Sequence, residues 1–146
     1  MDTTDEPMPL PPRPAADGKP LLYVLNNNAE FLELIREVLA DVNLRVVVEQ
    51  LRPNPEVTLE NFRSSQPDLI LLDYVPFISD ARYLLEALCA SADLRKLPVL
   101  LASTSPQAAT ALADQFSGQI IDVLPKPFEL EELYRLVRQF LSVPTP

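Results

Sequence analysis

Four aliphatic residues in a row, Leu69-Ile70-Leu71-Leu72, run into a single carboxylate, Asp73. Successive residues of a strand point to opposite faces of a sheet, so an apolar run without polar alternation needs cover on both sides. A central strand of a parallel sheet between two layers of helices meets that requirement. In such a sheet the chemistry collects at the carboxyl ends of the strands. Asp73 stands at one of those ends, and the rest of the chain is read as the frame around it.

The remaining segments alternate in the way that frame demands. Leu21–Leu25 reads as a first buried strand that stops at Asn26-Asn27-Asn28. A helix follows, with Asn28 as its N-cap and Phe31, Leu34, Ile35, Val38 and Leu39 on one stripe. Leu44–Val48 is a β-branched strand nearer an edge, because polar residues follow at once. Asn54-Pro55 opens a short helix that runs to about Ser65 with Leu59 and Phe62 inward. After the Asp73 strand, Ser79 caps a third helix whose buried face carries Tyr83, Leu84, Ala87 and Leu88. Pro98–Ala102 is a fourth strand ending on Ser103-Thr104, and Ser105-Pro106 starts a fourth helix with Ala109, Leu112, Ala113 and Phe116 inward. Ser117-Gly118 stops it. Ile120–Leu124 is a fifth strand, ending on Pro125-Lys126-Pro127-Phe128. A fifth helix holds Leu130, Leu133, Tyr134, Val137 and Phe140.

Strands alternating with helices through short connections predict right-handed crossovers. The fold class is α/β: a doubly wound five-stranded parallel sheet, flavodoxin-like, with strand order 2-1-3-4-5. One domain is expected over residues 21–143. Residues 1–20 contain six prolines and no periodicity, and read as a disordered or extended tail.

Composition narrows the function. The net charge is -9 and there is no histidine. An acidic chain lacks the basic face that phosphate neutralisation needs, so nucleic acid is not an expected partner. Without histidine there is no imidazole base, ligand or pH switch. Glycine occurs only at Gly18 and Gly118, too few for a glycine-rich phosphate cradle. The one cysteine, Cys89, excludes an internal disulfide and is expected as a small buried hydrophobe. No apolar run approaches the roughly 20 residues of a membrane span, and no signal peptide is visible, so a cytoplasmic location is expected.

In the expected order, strands one, three, four and five deliver Asn26 and Asn27, Asp73, Ser103 with Thr104, and Lys126 to one crevice. A carboxylate, a hydroxyl and an ammonium group converging can handle a phosphoryl group, with the acid as nucleophile. The plainer alternative is a structural Asp73–Lys126 ion pair that organises the loop, with the asparagines serving as turn and cap residues.

Three motifs then carry a resemblance: Pro67–Asp73, Leu97–Ser103 and Asp122–Phe128. The chain resembles the receiver domain of bacterial response regulators over roughly residues 20–142. The resemblance implies that Asp73 is the phosphoacceptor for a histidine kinase, and that Ser103, with Thr104 beside it, is the switch position. It implies that Lys126 binds the phosphoryl group and precedes a cis bond to Pro127. It implies a regulator that is not an enzyme. Its signal would pass through the face of the fourth helix, fifth strand and fifth helix to a kinase or other protein, with a homodimer left open.

The sequence departs from that family in three places. The acidic pair that holds magnesium is Asn26-Asn27. Asp73, Asn27 and the carbonyl of Val75 would remain as ligands, and magnesium, which prefers anionic oxygens, is expected to bind weakly. The aromatic switch position is Val123. The loop after the phosphoacceptor is Tyr74-Val75-Pro76-Phe77, without its usual glycine. Two readings follow: an atypical single-domain response regulator of a two-component phosphorelay, or a pseudo-receiver that binds partners without phosphate.

Overall fold

β1 (Leu21–Asn26) forms first in the chain and lies near the middle of the sheet, its six residues all buried. The computed structural model describes residues 19–39 and 44–141. The proline-rich tail expected before residue 20 lies, up to residue 18, outside the described residues, as do residues 142–146. Beside β1 stand β2 (Arg45–Gln50) and β3 (Leu69–Asp73), followed by β4 (Val99–Ser103) and β5 (Ile120–Pro125). All neighbours pair parallel, in the order β2-β1-β3-β4-β5. This is the expected doubly wound α/β topology. The helices are α1 (Ala29–Val38), α2 (Glu56–Ser65), α3 (Asp80–Ala90), α4 (Pro106–Gln115) and α5 (Leu130–Leu141).

Alternation along the strands divides the interior in two. Tyr23, Leu25, Ile70, Leu72, Val99 and Leu101 face α2, α3 and α4. Leu22, Val24, Leu69, Leu71, Leu100 and Ala102 face α1 and α5. The uninterrupted apolar run of β3 is thus split between two cores, and all five of its residues are buried. With both faces covered by helices, the functional residues of such a sheet gather at the carboxyl ends of its strands.

The local signals resolve unevenly. Asn28 caps α1, accepting from the Phe31 N–H at 3.1 Å. Asn54 accepts from the Glu56 N–H at 3.0 Å, so it caps α2 from two residues away, with Pro55 in the entry turn. Ser79 and Ser105 stand at the N-caps of α3 and α4, but neither side chain makes a capping bond. At the end of α2 the chain turns through Gln66 in the left-handed region, φ 52°, a position with no glycine to announce it.

Three burial expectations are corrected. Leu34 is 55% exposed and Tyr83 48% exposed, and Cys89 is exposed. The physical reason is helical phase. α1 meets the sheet through Leu32, Ile35 and Leu39, and α3 through Ala81, Leu84, Leu85 and Leu88. Leu34, Tyr83 and Cys89 each follow or precede such a residue by one, about 100° round the helix. The side chain of Leu130, expected inward on α5, lies outside those described.

Candidate functional site

Strand register assembles the site. Leu25 pairs with Leu72, so Asn26 and Asp73 follow at one level. Asp73 pairs with Ala102, and Ser103 pairs with Pro125. The Lys126 N–H then donates to the Ser103 carbonyl at 2.8 Å, and the Tyr74 N–H to the Ala102 carbonyl at 2.8 Å. The residues delivered to this edge are those the sequence places there.

Asp73 and Lys126 meet directly. The Lys126 ammonium donates to Oδ1 of Asp73, an ion pair whose side chains are 22% and 9% exposed respectively. The cation also lies 5.4 Å from the centroid of the Phe31 ring, whose face attracts positive charge. The bond between Lys126 and Pro127 is cis. Burying a carboxylate is costly without a partner, and Lys126 supplies one.

Ser103 is placed differently from Asp73 and Lys126. It is fully buried. Its hydroxyl oxygen accepts from the Ser105 N–H at 3.0 Å and donates to the Ser105 carbonyl at 3.4 Å. These bonds hold the first turn before α4 and do the work that the Ser105 side chain does not. Thr104 is exposed beside Lys126.

The asparagines divide in the same way. Asn26 is buried, and its Oδ1 accepts from the Asn28 N–H at 2.8 Å. Asn27 is exposed and lines, with Asp73, Val75 and Ile78, one narrow crevice. The Val75 carbonyl accepts from the Ile78 N–H at 3.0 Å.

These donors fit magnesium poorly. One carboxylate oxygen of Asp73 is engaged by a cation, the Asn26 amide oxygen is turned into its own loop, and the Val75 carbonyl already has a donor. What remains brings a single negative charge to an ion that sheds water reluctantly. Among the described residues no three acidic, cysteine or histidine side chains gather closely enough to hold a metal. No helix among them is long and apolar enough to cross a membrane.

Sequence reading missed a second shielded acid at this edge, with a side chain 10% exposed. Glu49 on β2 accepts from the Tyr23 hydroxyl, from Thr58 Oγ1 at 3.2 Å and from Asn61 Nδ2 at 2.9 Å. Arg52 lies 3.6 Å away. Burial, and then the Glu49 carboxylate, hold the Tyr23 hydroxyl well above the ordinary phenol value of 10.0. The only sequence signal was an acid inside an otherwise β-branched strand.

No protein-family model and no curated protein matches this chain. Solved structures do. A BeF3-activated N-terminal receiver domain from Klebsiella pneumoniae is 22% identical, with a TM-score of 0.67 over 83% of this chain and 97% of that one. The signal receiver domain of a signal transduction histidine kinase from Syntrophus aciditrophicus is 22% identical, with a TM-score of 0.64 over 84% of this chain and 90% of that one. The receiver domain of a sensor histidine kinase from Pseudomonas aeruginosa, with a magnesium ion coordinated in its active site cleft, is 18% identical, with a TM-score of 0.65 over 85% of this chain and 98% of that one. The chain therefore has the receiver fold.

Proposed function

We propose that this chain is an atypical receiver of two-component signalling, with Asp73 in the phosphoacceptor position and its output carried by protein contacts. The observation that supports the reading most is the Asp73–Lys126 pair at the carboxyl end of the central strand. A carboxylate there can attack the phosphorus of a phosphohistidine in a kinase. The new bond joins Asp73 Oδ to phosphorus, the phosphorus–nitrogen bond breaks, and the imidazole leaves with a proton. Lys126 would pass from the carboxylate to the phosphoryl oxygens, matching its charge to the new group. Ser103 and Thr104 are the remaining candidates for those oxygens. For Ser103 this requires its bonds to Ser105 to open.

The same geometry predicts that transfer is slow. Stabilising the equatorial oxygens normally falls to a divalent cation, and the donors here suit one poorly. Asn26 spends its amide on the turn, and among the described residues no second carboxylate joins Asp73. A second reading follows from that observation: a pseudo-receiver that binds partners without phosphate. In either reading the contact surface is the face of α4, β5 and α5. There a groove of about 480 Å³ includes Thr110, Asp114, Ile121 and Val123. The function is regulatory rather than enzymatic. The acidic charge of -9 favours a protein partner, a kinase or a second copy, over nucleic acid.

The deciding experiment is incubation with acetyl phosphate, or with beryllofluoride, in the presence of magnesium, read by intact mass and amide spectra. The expected result is a partial, slowly formed adduct that disappears in Asp73→Asn. No adduct at any time would remove the first reading and leave the second.

A further inference from the structure

A groove beside the Asp73 crevice is left unexplained by the function above. It has a volume of about 470 Å³ and lies between α1 and residues 126–128. Phe31, Leu34 and Val38 line one wall, and Pro127 and Phe128 the other. Groove and crevice share no lining residue. The ion pair joins them, with Lys126 lining the groove and Asp73 the crevice.

The groove has the makings of a small-molecule site. Such sites have volumes of roughly 300–1,000 Å³, apolar and aromatic walls, and a few placed polar groups. Here the Phe31 and Phe128 rings stand perpendicular with centroids 6.5 Å apart. A third ring can lie against both, meeting one by its face and the other by its edge. α1 holds the sheet through Leu32, Ile35 and Leu39, so packing does not account for Leu34, which is 55% exposed. Leu34 extends the apolar wall beyond what the core uses. The polar groups on the lining are Lys126, over the Phe31 ring, and Thr104.

Charge selects the class of ligand. Lys126 is the one charged side chain on the lining, and its charge is already met by Asp73. A carboxylate in the groove would set a second anion against that one ammonium. Glu30 and Glu37, exposed on α1 about a turn to either side of Leu34, add to the repulsion. A cationic ligand would face the ammonium itself. An uncharged acceptor meets neither obstacle. An ammonium has three donors, and among the described residues only Asp73 accepts a hydrogen bond from this one. A carbonyl oxygen can take a second donor, and its other lone pair suits the Thr104 hydroxyl.

We propose that this groove binds an uncharged aromatic carbonyl compound, its ring against Phe31, Leu34 and Phe128 and its oxygen accepting from Lys126. The site needs no phosphodonor and stands whether or not Asp73 accepts phosphate.

The test titrates the full chain, isotopically labelled, with three probes of similar shape: methyl naphthyl ketone, isopropylnaphthalene and naphthoate. The ketone is expected to saturate, with nuclear Overhauser contacts from its ring to the Leu34 methyls and the Phe31 and Phe128 rings. It should bind about fivefold more tightly than isopropylnaphthalene, which fills the same space but accepts no hydrogen bond. It should also bind more tightly than naphthoate. Leu34→Asp, at an exposed position, should keep the folded spectrum and weaken the ketone about tenfold. No saturation at the solubility limit, or contacts elsewhere on the surface, overturns the proposal. Equal affinity for isopropylnaphthalene removes the Lys126 bond and overturns it too. Naphthoate binding as tightly as the ketone overturns the uncharged class, and a Leu34→Asp variant that binds unchanged overturns the site.

Discussion

Two carboxylates sit at the same edge of the same sheet, equally shielded from water, and their surroundings differ. The Glu49 side chain is 10% exposed and that of Asp73 9%. Glu49 is held by three neutral donors, from Tyr23, Thr58 and Asn61, with Arg52 at the margin. Among the described residues Asp73 is held by one cation, Lys126. A carboxylate whose oxygens are saturated by fixed donors is a fastener between β1, β2 and α2. A carboxylate with one long, flexible partner has an oxygen to offer. Burial is thus the same in both, and the difference in chemistry comes from how replaceable the neighbours are.

Substitutions can break that comparison. The largest effect is expected for Glu49→Ala, which strands the buried Tyr23 hydroxyl together with the Thr58 and Asn61 donors. Stability should fall by about 3 kcal/mol, read from urea unfolding, and a loss within error of zero would show that these donors find other acceptors.

Lys126→Met should cost about 2 kcal/mol, because it leaves the Asp73 charge without its partner. Most of that loss should return in the double variant with Asp73→Asn. A double-mutant cycle with no coupling would mean that the pair is incidental.

Tyr23→Phe should cost about 1.5 kcal/mol at neutral pH, and it carries a pH signature. The folded protein holds the phenol proton above the ordinary value of 10.0, where the unfolded chain releases it. Stability is therefore full below pH 10 and falls above it by about 1.4 kcal/mol per pH unit. The Phe variant should lack that added slope, which thermal melts across alkaline pH would measure. Identical slopes in both proteins would sink the assignment.

The smallest effect sharpens the Asp73 side. Asn26→Asp with Asn27→Asp should create a magnesium site. At roughly ten times its dissociation constant, magnesium should stabilise the variant by about 1.4 kcal/mol and leave the unmodified chain nearly unchanged. Equal magnesium binding by the two proteins in calorimetry would show the donor argument to be wrong.

Much of this was legible in the residues. The Leu69–Leu72 run demanded two-sided cover, and the structure provides it with two cores. The placement of Asp73 and Lys126 at one edge follows from their positions after strands, which register alone brings level. The asparagine cap at Asn28 needed only a local bond. What could not be read depended on partners distant in sequence. Ser103 was read as a hydroxyl for phosphoryl oxygens, yet its oxygen serves the Ser105 backbone. Leu34 and Tyr83 fit an apolar stripe in spacing, but the phase of each helix against the sheet left them exposed. Cys89 fell on the solvent side for the same reason.

The sequence by itself determined the order of elements, the central strand and the acid at its end, because periodicity and chain direction are local properties of the polypeptide. Only the tertiary structure decided which shielded acid is saturated and which is available. That depends on side chains from separate elements arriving around one carboxylate: Tyr23, Thr58 and Asn61 around Glu49, and Lys126 beside Asp73. No spacing along the chain encodes such a meeting, because it is set by strand register and helix packing acting together.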